Sequence, residues 1–157
     1  LTFFRVYSGK VSTGDFIFVL GADDTVEAGR TGKMIDQSLK LQKSVYGGWK
    51  AFQKTEGDIK DLSNNAKSYN IYQSIMHSKV PGGTICLVKR DADIVFPIPE
   101  NLQFEDWWIS TILISLDRLR PVDFNVLNYR ITSSNDCFRL SRSWNAVKKP
   151  WSLLKVI

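Results

Sequence analysis

The chain has 157 residues, 43% of them hydrophobic and 24% charged, a balance that suits one folded domain over residues 1–157 and argues against extended disorder. Its formal net charge of +5 favours anionic partners such as nucleic acid, an acidic membrane surface or phosphorylated small molecules, without choosing among them. One histidine, His77, and two cysteines with no CxxC spacing argue against a multi-histidine or zinc-finger metal site, and no apolar run reaches the roughly 20 residues that span a bilayer.

Thr13-Gly14-Asp15 is a turn signal. Phe16 to Leu20 is a continuous apolar run and predicts a buried strand of a parallel or mixed sheet. It stops at Gly21-Ala22-Asp23-Asp24. Arg30 to Leu41 carries Met34, Ile35, Leu39 and Leu41 at near-helical spacing and predicts a helix. Lys43 to Phe52 predicts a strand, with Gly47-Gly48 as a bulge or a close backbone approach. Thr55 to Asn65 is polar and predicts a loop; Ala66 to Ser78 predicts an amphipathic helix.

Pro81-Gly82-Gly83 breaks that helix, and Thr84 to Val88 predicts a short strand ahead of Lys89-Arg90-Asp91. Phe96-Pro97-Ile98-Pro99 predicts an extended loop, because proline lacks the amide donor. Trp107 to Leu119 predicts a buried helix that Pro121 ends, and Val122 to Ile131 alternates as a strand does. Ser141 to Ile157 predicts a last helix interrupted at Pro150, within a basic tail over residues 137–157. Its cluster of Arg139, Arg142, Lys148, Lys149 and Lys155 reads as a solvated helix face or as a patch for a membrane surface or phosphate. Strands alternating with helices imply an α/β fold, a mixed sheet packed between helices.

Cys86 and Cys137 each lie in apolar sequence and read as reduced core residues of a cytoplasmic protein. No signal peptide is expected. Because the chain opens on Leu1, a fragment or processed chain is expected.

Two acidic pairs carry the candidate chemistry. Asp23 and Asp24 directly follow a buried strand, where adjacent carboxylates suit a hard cation such as Mg²⁺ or Mn²⁺; a solvated turn ahead of the next helix is the other reading. Glu105 and Asp106 open a helix beside Trp107 and Trp108. A carboxylate in a partly apolar pocket can act as a general base and the indoles as sugar platforms; a helix start with two core aromatics is the alternative.

The order and spacing of these segments resemble glycosyltransferase family two. The matching segments are Thr13 to Asp24, Ser44-Val45-Tyr46-Gly47-Gly48-Trp49, Gly82-Gly83-Thr84 through Lys89-Arg90, Glu105-Asp106-Trp107-Trp108, and Tyr129-Arg130-Ile131-Thr132-Ser133-Ser134-Asn135. The resemblance covers about residues 11 to 136. It implies a GT-A-like mixed sheet flanked by helices, a metal held at Asp23 and Asp24, and Asp106 as the base, with Glu105 or Trp107 orienting the acceptor. Trp107, Trp108, Gly82, Gly83 and Thr84 fall on substrate-binding positions.

The implied reaction is inverting transfer from a nucleotide-sugar donor to a glycan or lipid-linked acceptor, as in polysaccharide biosynthesis. The implied setting is the cytoplasm or the inner face of a membrane, with room for peripheral attachment and for a homo-oligomer. The chain departs from the pattern at Gly21, where the family has Asp, and at Thr132, where it has His. The family's donor-binding part would lie ahead of these residues. A non-catalytic remnant that binds a glycan or nucleotide is therefore the alternative. Nucleic acid is not expected as a partner, because the aromatics are not interleaved with Arg and Lys as a stacking platform requires.

Overall fold

Residues 15–18, 24–52, 59–102 and 104–130 are described by the structure, a computed structural model. Among these residues six strands form one sheet: β1 (Phe16–Phe18), β2 (Thr25–Val26), β3 (Ser44–Phe52), β4 (Ile59–Asn64), β5 (Ile85–Val88) and β6 (Leu119–Arg130). Their order is β1-β5-β3-β6-β2, with β4 also paired to β3. β5 runs antiparallel to both neighbours, with Phe16 opposite Val88 and Val45 opposite Cys86. β3 and β6 run parallel from Ser44 and Leu119 to Phe52 and Arg130. β2 closes antiparallel on β6.

Four α-helices among the described residues accompany the sheet: α1 (Arg30–Leu41), α2 (Ile71–Met76), α3 (Lys89–Val95) and α4 (Glu105–Ser115). The two-residue period of the strands sends alternate side chains to opposite faces. Tyr46, Ile85 and Leu87 pack with Val95 of α3 and Ile109 and Leu113 of α4. Their chain neighbours Val45 and Cys86 pack with Val122, Val126 and Met34 of α1. The protein is therefore a mixed α/β fold with a core on each face of the sheet. No helix among the described residues is long and apolar enough to cross a membrane.

Gly47 and Gly48 sit where the β3–β6 register shifts. A Cβ on Gly47 would lie 2.4 Å from a Val126 methyl group, and one on Gly48 would lie 2.8 Å from the Asn64 carbonyl oxygen. Both halves of the expectation, bulge and close approach, hold at this pair.

Five expectations need correction. The polar stretch 55–65 contains strand β4, antiparallel to β3 with Trp49 opposite Asn64; main-chain pairing needs no apolar run. The helix expected over 66–78 shrinks to α2, because Asn70 is its N-cap: its side chain accepts from the Gln73 amide at 2.9 Å while Gln73 Oε1 accepts from the Asn70 amide at 3.0 Å. The strand expected from Thr84 begins at Ile85, after a one-turn 3-10 helix over Gly82–Thr84, and the charged residues that follow open α3. α4 ends at Ser115, six residues before Pro121; Pro121 lies inside β6, next to the register shift, where a missing donor is tolerated. In α1 the buried face is Arg30, Met34 and Ser38, while Leu39 is 54% exposed. Val19, Leu20, Cys137 and the basic tail lie outside the described residues.

Candidate functional site

α4 opens without a side-chain cap from Phe104. One first-turn amide is met instead from within, since Asp106 Oδ1 accepts from the Trp107 amide at 2.7 Å. Asp106 Oδ2 accepts from the Gly82 amide at 3.3 Å. Acidic groups are favoured at this end of a helix by its dipole. Burial nevertheless pushes the Asp106 carboxyl above its ordinary range; the amides of Gly82 and Trp107 pull it down, and the neighbouring Glu105 pushes it up. Glu105 itself is exposed.

The Gly82–Thr84 turn is closed by Thr84, whose amide and hydroxyl both donate to the Pro81 carbonyl, at 2.9 and 2.7 Å. Thr84 is fully buried, so its side chain serves the turn. Gly82 and Gly83 are half-buried, and a Cβ on Gly83 would meet a Leu127 methyl group at 3.0 Å. The structure thus brings Gly82 to Asp106, 24 residues away in sequence, while Gly83 faces Leu127 and Thr84 serves the turn.

Both tryptophans are half-buried. The Trp107 indole N–H donates to the Ser74 carbonyl at the end of α2, and that of Trp108 donates to the Val95 carbonyl at 3.0 Å. Trp108 also packs on the core cluster of α3 and α4. Their N–H groups are therefore committed to backbone, leaving ring faces and edges for any other contact.

Asp24 precedes β2, and its Oδ1 accepts from the Arg130 amide at 3.0 Å, at the end of β6. Asp23, Gly21 and Thr132 lie outside the described residues. Among the described residues no three His, Cys, Asp or Glu side chains converge as a metal site. A cavity of about 300 Å³ lies between Tyr69, Asn70, Ser115 and Arg120, at the far end of α4 from Asp106, roughly 15 Å along the helix.

Sequence reading missed Arg30 at this site. It is 4% exposed, and its Nη2 donates to the Gly83 carbonyl at 2.7 Å. The available signal was its helical spacing with Met34 and Ser38, but a cation at such a position ordinarily reads as solvated.

No known family model, curated protein or solved structure matches this chain.

Proposed function

We propose that this chain belongs to a metal-dependent, inverting glycosyltransferase of GT-A type, with Asp106 as its base. The observation that carries the reading is the Asp106 carboxyl, half-buried and raised by burial while held in place by the Gly82 and Trp107 amides. A general base works best with a pKa moved toward the operating pH and a fixed position.

In this reading Asp106 takes the proton of the acceptor hydroxyl as that oxygen attacks the anomeric carbon. The bond from carbon to diphosphate breaks on the opposite face, and one displacement inverts the centre. Trp107 and Glu105 orient the acceptor. Asp24, with Asp23, would hold Mg²⁺ or Mn²⁺, which supplies charge compensation for the diphosphate when bound. The setting is the cytoplasmic face of a membrane or the cytoplasm, and the partners are a nucleotide-sugar donor and a glycan or lipid-linked acceptor.

The experiment is transfer and donor binding in Mn²⁺ with UDP- and dTDP-sugars, for wild type and Asp106→Asn. Loss of transfer with donor binding retained is the expected result. Unchanged turnover in Asp106→Asn removes the base assignment. Binding without turnover in the wild type selects the second reading, a glycan- or nucleotide-binding remnant, which the Gly21 and Thr132 departures favour.

A further inference from the structure

Arg30 is the first residue of α1, a place from which a long cationic side chain ordinarily reaches water. Here it turns inward. The guanidinium lies 5.1 Å from the centre of the Phe18 ring and donates from Nη2 to the Gly83 carbonyl. No carboxylate pairs with it among the described residues, and its Nε has no partner. Leaving a donor of a buried cation unsatisfied is costly, so this placement calls for a reason other than stability.

The carbonyl it holds belongs to the Gly82–Thr84 turn. One residue earlier, the Gly82 amide addresses Asp106 Oδ2. α1 contributes to the core on one face of the sheet and α4 to the core on the other. The turn is where a side chain from each helix meets the same short piece of backbone.

We propose that Arg30 is a positioning residue for Asp106: by fixing the Gly83 carbonyl it sets the turn so that the Gly82 amide faces the carboxylate. The link from Arg30 to the turn to Asp106 is geometric; its catalytic meaning rests on the reading of Asp106 as the base. Glu105 is the charged side chain that acts on Asp106. α2 carries no charged residue. Those of α3 and β6, Lys89, Arg90, Asp91, Asp93, Arg120, Asp123 and Arg130, are not among the groups that move its pKa.

The test uses the full chain with Arg30→Met, which fills the space but cannot donate, and Arg30→Lys, which keeps a charge and a donor. Two NMR readouts need no activity: hydrogen exchange of the Gly82 amide and the carbon-13 titration of the Asp106 carboxyl. In folded Arg30→Met, Gly82 exchange is expected to rise about tenfold, the equivalent of one hydrogen bond. The Asp106 titration is expected to move to higher pH, because an amide that favours the charged form is lost. Arg30→Lys should lie between wild type and Arg30→Met on both.

Wild-type exchange and titration in folded Arg30→Met overturn the proposal. If Arg30→Met does not fold, the same readouts are taken in Arg30→Ala, which also cannot donate, and wild-type values there overturn it instead. A purely structural role would lower the melting temperature without moving the Asp106 titration. Unchanged transfer in Asp106→Asn would sink the base reading while leaving the Arg30 link to be decided by the NMR measurements.

Discussion

Asp106 Oδ2 and the Gly82 amide nitrogen are 3.3 Å apart, and the contact opposes the effect of burial on the same proton. Burial wins, so the folded-state pKa of Asp106 lies above its unfolded value. The native state then binds more protons than the unfolded chain between the two values. Stability is full below the unfolded pKa, about 3.9, and is lost as pH rises through the higher folded one. Asp106→Asn removes this dependence. Urea unfolding across a pH series should therefore show a shallower decline of stability above about pH 4 in the variant. Identical slopes would mean that Asp106 is not desolvated in the native protein.

Asp91 is fully buried at the start of α3 and ties it to β3 and to the turn between α4 and β6. Its Oδ2 accepts from Ser44 Oγ at 2.6 Å and from the Ser44 amide at 3.3 Å, while Oδ1 accepts from Arg118 Nε. Removing one partner of a buried ion pair strands the other, which costs about 3–5 kcal/mol. Asp91→Ala is expected at the low end, since the Arg118 side chain is 30% exposed and can turn to water. Ser44→Ala should cost roughly 1 kcal/mol. Chemical denaturation reads both, and a near-neutral Asp91→Ala would contradict the network.

Asp91 also marks where sequence reading ends. α4 was legible because a long apolar run declares a helix whatever its partners, and β3 because Val45, Tyr46, Trp49 and Phe52 suit a pleated strand. α3 was not: its charged start folds inward only because Asp91 finds Ser44, 47 residues away, and Arg118, 27 residues away. β4 escaped because its pairing runs through backbone groups that any sequence carries. Pro121 suggests a helix stop by its missing donor, which in the folded chain sits beside a register shift in β6. At the candidate site, Glu105 to Trp108 and Pro81 to Thr84 stood out as local patterns. Arg30 did not, because its partner carbonyl is 53 residues away and buried cations have no local signature.

Gly47 and Gly32 make a paired prediction. A Cβ on Gly47 would lie 2.4 and 2.8 Å from the two Val126 methyl groups and 2.9 Å from the Phe124 carbonyl oxygen. Gly47→Ala is expected to destabilise by about 1–3 kcal/mol, as overpacking does. Adding Val126→Ala should recover part of the loss but not all, because the carbonyl is backbone. Gly32, inside α1, has open space where its Cβ would stand. Gly32→Ala should stabilise by roughly 0.5–1 kcal/mol through helix propensity. Thermal unfolding compares the two, and equal effects would refute the packing at the β3–β6 shift.

Cys86 supplies a probe of the sheet's interior. It is fully buried on β5, and burial pushes its thiol up to about 12, with Arg30 pulling it slightly down. The thiolate is the reactive form, so the folded protein should resist alkylation at pH values where an ordinary thiol reacts. Because the folded pKa is raised, the thiol contributes stability that is full below its unfolded value and is lost as pH rises toward about 12. The measurement is iodoacetamide labelling near pH 8 in a Cys137→Ser background, so that a single thiol reports. Labelling is expected to be fast in denaturant and, without it, limited by opening of the β1–β5–β3 pairing. If Cys86 in the folded chain labels as fast as in denaturant, β5 is not an inner strand, and the Gly82–Thr84 turn that leads into it loses the support that holds its amide against Asp106.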